Sequence, residues 1–236
     1  MIFMRIKINL YGVLLSLLCL VNQFSYAQTP DQLTDFAKAA KFDDASEVKS
    51  LLSKGVSPNA VDSYGNPMLI LAIKDKSNRV IDLLLQNPKI DVDLSNKSGE
   101  TPLMIASIEG NLPLVKVLVL KHKAMLDHIS WTPLHYACAK GQLDVAQFLI
   151  ANGSIVDSMS LGNTTPLMMA VNSGNDQLVK LLLDKGADLQ LRNSNGLTAI
   201  DIADIYDKPS ISEGLRSRWL RLYKKPYIGP AKTNAS

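Results

Sequence analysis

A six-residue motif recurs along most of this chain, and its spacing restricts the possible folds more than any other feature. Its clearest copy is Thr132-Pro133-Leu134-His135-Tyr136-Ala137, and residues 101–106 and 165–170 are close variants. Weaker copies also occur, and the final alanines of all six are Ala39, Ala72, Ala106, Ala137, Ala170 and Ala203. The last five are 34, 31, 33 and 33 residues apart. Such a period is typical of a solenoid, whose units stack because none can bury its apolar face alone.

Each unit contains the signals for two helices. A Thr-Pro pair suits a helix start, since the hydroxyl can cap free N–H groups and proline is tolerated at the first helical position. An apolar pair such as Leu182-Leu183, 12 and 13 residues after the alanine, indicates a longer second helix. Glycine is suited to the sharp turn between the helices and to the left-handed stop after the second one. At that stop the third unit has His122, which we expect to be left-handed.

These motifs resemble those of the ankyrin-repeat family over about residues 31–222. The Thr132–Ala137 unit and the Leu181–Asp188 unit match the family pattern closely. The resemblance implies an all-α repeat solenoid, in which helix-turn-helix pairs carry β-hairpin fingers and enclose a concave groove. We predict about six units, of which the first and last are degenerate, more polar caps.

The N-terminal residues predict export. Arg5 and Lys7 precede an apolar run of about 12 residues, which is shorter than the ~20 needed for a membrane-spanning helix. Small residues at Ser25 and Ala27 then form a possible cleavage site. We therefore predict a cleavable signal peptide at 1–27, an ankyrin-repeat array at 28–222 and a flexible C-terminal tail at 223–236. The expected destination is the periplasm, with the extracellular medium as the second choice.

Composition and motifs give no indication of catalysis. The 236 residues are 47% hydrophobic and carry a net charge of +3, which argues against a wholly disordered chain and against general nucleic-acid binding. Removal of residues 1–27 would leave one cysteine, Cys138, which we predict to be a packing residue. Three histidines at this spacing do not form a metal site. We predict no enzyme activity, no cofactor and no metal, and the family resemblance assigns His135 to bracing adjacent fingers.

The predicted binding residues are those that the resemblance places on the finger tips and at the ends of the first helices. They are Tyr64, Asn66, Lys74, Asp75, Lys97, Glu100, Ile108, Glu109, His128, Ile129, Trp131, Lys140, Leu161, Thr164 and Leu197. Aromatic residues are favoured at interfaces, so Trp131 is the leading anchor. The alternative is that Trp131 packs across neighbouring fingers, because its own finger is two residues short.

Three functions agree with these features. The first is a monomeric, non-enzymatic protein-binding module that binds and modulates an envelope protein or enzyme. The second is binding to anionic lipid or an acidic polymer through the basic end of the chain, where seven Lys and Arg residues follow Asp207 against one acid, Glu213. The third is a secreted effector that acts on a host cell.

Overall fold

The computed structural model describes residues 28–229, and within them twelve helices follow one another in six pairs. The signal peptide predicted at 1–27 lies outside the described residues. The first helices of the pairs are α1 (Pro30–Lys41), α3 (Met68–Lys74), α5 (Pro102–Ile108), α7 (Pro133–Ala139), α9 (Pro166–Ser173) and α11 (Ala199–Ile205). The second helices are α2 (Ala45–Ser53), α4 (Asn78–Leu85), α6 (Leu112–Lys116), α8 (Leu143–Ala151), α10 (Asp176–Asp184) and α12 (Pro209–Tyr223). The predicted all-helical repeat solenoid is confirmed.

The helix starts follow from the Thr-Pro motif. Thr101, Thr132 and Thr165 each cap a first helix, with the hydroxyl oxygen accepting the backbone N–H three residues further on. Helix α1 begins in the same way, with a reciprocal cap between Thr29 and Gln32. It has 12 residues, whereas α3 has seven, so an extra helical turn stands at the beginning of the array.

Each turn between the two helices of a pair has a residue with left-handed backbone conformation at the equivalent position. These residues are Asp43, Lys76, Gly110, Gly141, Gly174 and Asp207. At Gly110 a Cβ would also lie 2.5 Å from Gln142 Oε1, so the Gln142 side chain would have to move. Gln142 uses that close approach to donate a hydrogen bond to the Ile108 carbonyl at 3.0 Å. The turns therefore link each repeat to the next as well as reversing the chain.

A single apolar core runs through all the repeats, from Phe36 in α1 to Leu215 in α12. The leucines of the central motifs, Leu103, Leu134 and Leu167, are at most 1% exposed. Burying such a side chain contributes roughly 1.5–3 kcal/mol relative to leaving it in water. Because each motif leucine lies between neighbouring helix pairs, this stabilisation depends on the stacking of the repeats.

The third repeat ends differently from the prediction. Helix α6 continues into a π-helical turn over Val117–Lys121, which inserts one additional residue. The left-handed stop consequently moves one position along the chain, to Lys123 at φ 59°. His122 has φ −97°, so the expectation that it is left-handed is wrong.

The fingers are tight turns held by one polar side chain each. Asp62, Asn96, Ser160 and Asn193 each accept two backbone N–H groups, from the residues two and four positions later. Within residues 28–229 the only β-type pairing is an isolated bridge between Val61 and Pro67. The third finger, 127–131, lacks this turn among the described residues. Ser130 stands where the other fingers have Gly65, Gly99, Asn163 and Gly196, all with positive φ.

His135 joins the fourth and fifth repeats, as the family resemblance implies. Its Nδ1 accepts the Thr132 N–H at 3.1 Å, so the ring hydrogen is on Nε2 and is donated to the Thr164 carbonyl at 2.9 Å. His135 is fully buried, and this desolvation lowers its pKa despite the hydrogen bond to Thr164.

The last repeat is closed by residues from the predicted tail. Asp201 replaces the motif histidine, and Tyr227 donates a hydrogen bond to its Oδ2 at 2.5 Å. The Tyr227 ring packs edge-on against Trp219 with 4.9 Å between centroids, and the residue is 8% exposed. Residues 223–229 thus differ from the flexible tail predicted from 223: α12 includes Tyr223, and Tyr227 covers the end of the core.

Replacing Tyr227 with phenylalanine tests this closure. The variant keeps the ring but leaves the buried Asp201 carboxyl without one donor, which costs about 1–3 kcal/mol. We expect a corresponding decrease in the free energy of unfolding measured with urea. Tyr223→Phe is the matched control, because the Tyr223 hydroxyl makes no hydrogen bond within residues 28–229. Equal stability of the two variants would contradict the closure.

The buried His135 predicts a specific dependence of stability on pH. Because its pKa is lowered on folding, the unfolded state binds more protons, and the free energy of unfolding falls as the pH drops below about 6.5. In His135→Gln this component of the pH dependence should be absent, whatever the absolute stability. Urea unfolding at several pH values measures it, with His128→Gln as the exposed control. A His135→Gln profile parallel to that of wild type would refute the prediction.

Candidate protein-binding surface

The fingers present three large apolar side chains to solvent. Tyr64, Ile129 and Leu161 are 78%, 88% and 82% exposed. Tyr64 and Leu161 lie inside the tight turns that begin at Asp62 and Ser160, so their positions are fixed by backbone hydrogen bonds. Ile129 lies in the irregular third finger. Apolar side chains held in water on an ordered support are typical of interaction surfaces.

A polar cluster on the same side of the array joins three repeats. Lys74 at the end of α3 is 3.3 Å from Glu100 Oε2, which also accepts a hydrogen bond from Asn96 at 2.8 Å. Tyr136 of α7 donates its hydroxyl to Glu100 Oε1 at 3.3 Å. We name Lys74, Asn96, Glu100 and Tyr136 the central cluster.

Two groups of the central cluster, the Glu100 carboxyl and the Tyr136 phenol, have shifted pKa values. Partial burial alone would raise the pKa of the Glu100 carboxyl, but the Asn96 hydrogen bond and the Lys74 charge outweigh it and lower the pKa. Burial and the adjacent Glu100 raise the pKa of Tyr136 to about 12. The Glu100 carboxyl is therefore ionised and the Tyr136 phenol is neutral at neutral pH.

Trp131 borders the central cluster and is only partly exposed. Its ring lies edge-on to Tyr136 with 5.8 Å between centroids, and 5.9 Å from the His135 ring. The ring thus packs on α7 of its own repeat. Part of it remains available to a partner, but Ile129 next to it in the same finger is far more exposed.

The other predicted residues are distributed along the same side. Among them, Glu109 has its Oε2 4.0 Å from Nζ of Lys76, which lies in the turn after α3. Asn66, Ile108, Thr164 and Leu197 are half-buried, and the exposed members are Lys74, Asp75, Lys97, Glu109, His128 and Lys140. The structure therefore unites Lys74, Glu100 and Trp131 around Tyr136, whereas Leu161, Thr164 and Leu197 lie on later fingers.

Two members of the central cluster, Asn96 and Tyr136, are not among the predicted residues. Tyr136 occupies the fifth position of the six-residue motif, where other repeats have Leu71, Ile105 and Met169. A hydrophilic group at a position that is apolar in neighbouring repeats is the signal that could have identified it. The first unit has the same signal at Lys38, which is exposed.

Two arginines of the basic C-terminal helix form ion pairs with earlier helices. Arg216 pairs with Asp204 of α11 at 2.5 Å, and Arg218 pairs with Asp184 of α10 at 3.2 Å. Arg218 also donates to the Leu183 carbonyl at 2.6 Å. These two arginines attach α12 to the preceding helices. None of the helices in 28–229 combines the length and the apolar character that crossing a membrane requires.

The candidate thiol and metal ligands do not form a reactive site in the described residues. Cys138 is fully buried in the core, and burial raises the pKa of its thiol. A thiol in that environment packs as an apolar group, as predicted. Between residues 28 and 229 no three His, Cys, Asp or Glu side chains converge as metal ligands would.

Comparisons with known proteins agree with this geometry. The family model for ankyrin repeats in three copies matches residues 36–128, 69–160, 122–193 and 152–215. The nuclear factor NF-kappa-B p105 subunit of Gallus gallus is 29% identical over 86% of this chain and 22% of its own length. The human transient receptor potential cation channel subfamily A member 1 is 29% identical over 60% of this chain and 14% of its own. The chain thus spans less than a quarter of these curated relatives.

A solved structure is similar over a larger share of its length. The crystal structure of an ankyrin repeat domain from Acinetobacter baumannii AYE has a TM-score of 0.66 and 26% sequence identity, covering 76% of this chain and 95% of that one. Ankyrin repeats generally mediate protein–protein interaction and are typically non-enzymatic. The stacked helix pairs, the finger turns and the family match lead to one conclusion: this chain belongs to the ankyrin-repeat family.

Proposed function

We propose that this chain is an exported, non-enzymatic module that binds and modulates an envelope protein through its fingers and first helices. The observation that carries the proposal is the exposure of Tyr64, Ile129 and Leu161 on the fingers. Their burial in an interface would remove apolar surface from water, which is the main favourable term in association. The hydrogen-bonded turns that hold Tyr64 and Leu161 limit the entropy lost when a partner binds.

The central cluster supplies the polar part of the proposed surface. Glu100 and Lys74 neutralise each other, so a partner need not provide an unpaired charge there. The partly exposed Trp131 ring adds an aromatic contact beside them. Protein interfaces commonly combine apolar anchors with polar groups whose hydrogen bonds are satisfied.

The alternative of anionic-lipid binding through α12 gains less support. Two of the three arginines of α12, Arg216 and Arg218, are engaged with Asp204 and Asp184. Arg221, Lys224 and Lys225 make no ion pair in the part of the chain that the structure describes. The first function therefore remains the proposal, and action on a host cell is the variant that a secreted location would indicate.

Substitution of the finger residues tests the binding proposal. In a pull-down from envelope extract, the triple variant Tyr64→Ser, Ile129→Ser and Leu161→Ser should recover about tenfold less of any wild-type partner, because it loses the apolar anchors. The control variant Leu120→Ser and Leu222→Ser alters leucines on second helices that are 53% and 57% exposed, and should bind as wild type does. If the triple variant recovers the same partners as wild type in the same amounts, the assignment is disproved.

Export is tested at the new N-terminus. Protein isolated from the source cells should begin at Gln28, because cleavage follows the small residues Ser25 and Ala27. N-terminal sequencing measures this, and cell fractionation separates the periplasm from the medium. A variant with Ser25→Arg and Ala27→Arg should retain the segment. Wild-type protein that begins at Met1 in the cytoplasmic fraction would contradict export.

A further inference from the structure

The first finger lacks the neighbour that the later fingers have. Between internal repeats the fingers are in contact: Ser194 donates its backbone N–H to the Gly162 carbonyl at 2.9 Å, and the Lys97 side chain lies against Gly65. On the other side of the first finger, the described residues contain the extra turn of α1 in place of a finger. Within residues 28–229, this side of the array is therefore an open stacking position.

A groove of about 450 Å³ occupies this open position. Leu33 and Ala37 of α1 form one wall, Val61 and Tyr64 of the first finger form the other, and Leu71 of α3 lies at the floor. Leu71 is buried, whereas Val61 and Tyr64 are 39% and 78% exposed. We name this site the N-terminal groove.

The rim of the N-terminal groove is basic. Lys38 and Lys41 of α1 line it, are exposed, and form no ion pair within residues 28–229. Asp62 is the acid in the lining, and its Oδ1 is occupied by the Tyr64 and Asn66 N–H groups of the finger turn. The two lysines therefore outnumber the single acid of the lining, whose carboxylate is held in the finger turn.

We propose that the N-terminal groove binds an extended acidic segment of the partner protein, with an apolar side chain of that segment between Leu33 and Tyr64. The groove lies where a finger would otherwise stack, so an extended segment fits its shape. The positive charge of Lys38 and Lys41 at the rim favours carboxylates in that segment. This inference rests on the proposed protein-binding function, since Tyr64 belongs to both the groove and the finger surface, and it specifies the chemistry of one part of the partner.

Fluorescence anisotropy with defined peptides tests the proposal on the full chain. The probe is a labelled peptide of about ten residues that alternates leucine with glutamate. Matched peptides carry lysine in place of glutamate, or serine in place of leucine. We expect the leucine-glutamate peptide to bind at least about tenfold more tightly than either of the others, because only it supplies both carboxylates and apolar side chains.

Charge reversal at the rim identifies the site of binding. Lys38→Glu with Lys41→Glu should weaken the leucine-glutamate peptide about tenfold and favour the lysine peptide instead. Lys49→Glu with Lys54→Glu is the matched control, because it changes the net charge equally at exposed positions in and after α2. The control variant should bind as wild type does.

Four results would overturn the inference. Equal binding of the three peptides, or unchanged binding in the Lys38→Glu, Lys41→Glu variant, would remove the acidic segment as the occupant. Peptide binding by the full chain but not by a chain that begins at Gln28 would show that the N-terminal groove is not sufficient as the site, because its lining lies within residues 30–71. If the wild-type chain forms a dimer that the Lys38→Glu, Lys41→Glu variant dissociates, the occupant of the groove is a second copy of the chain. In each case the double variant Ile129→Ser, Leu161→Ser would still report separately on the proposed function, because neither residue lines the N-terminal groove.

Discussion

The burial of each helix pair against its neighbours is the interaction on which the whole molecule depends. Leu134 and Leu167 are buried only because another pair covers them, so no repeat is complete by itself. Within residues 28–229 the same dependence distinguishes the first and last repeats, since each has a neighbouring repeat on one side. At the beginning the chain uses a longer, lysine-bearing helix, and at the end it uses α12 with Tyr227.

Features that interrupt the stacking coincide with the surfaces proposed for binding. The third finger lacks the polar turn of the others, and there Ile129 is exposed beside a half-buried Trp131. The first finger has no finger before it among the described residues, and there the N-terminal groove opens. Regular repeats supply the rigid support, while the departures from regularity give this array its own chemical surface.

The sequence predicted the repeat boundaries because these depend on local chemistry. A threonine hydroxyl caps a helix by accepting the backbone N–H three residues further on. A left-handed turn needs glycine, or another residue that tolerates positive φ, at one position of the turn. The π-helical turn at Val117–Lys121 escaped prediction because one added residue leaves the apolar pattern of the helix nearly intact. The pattern therefore predicts the left-handed stop at His122, one position before its place at Lys123.

The polar contacts between repeats could not be predicted in the same way. Glu100 meets Lys74 and Tyr136, which are 26 and 36 residues away in sequence. Tyr227 meets Asp201 across 26 residues. A period of 33 residues tells which positions are equivalent, but it does not tell which side chains of neighbouring repeats are long enough to touch. That requires the stacking distance and the direction of each side chain.

The contact between Tyr227 and Asp201 has a consequence for how such an array can change in length. Asp201 occupies the position from which His135, in an internal repeat, reaches the carbonyl of the following finger. Because Tyr227 fills that position, a further unit placed after α12 would compete with it for Asp201. Duplication of an internal repeat leaves the contact untouched. The array can therefore lengthen from within, while its last unit acts as a fixed terminator.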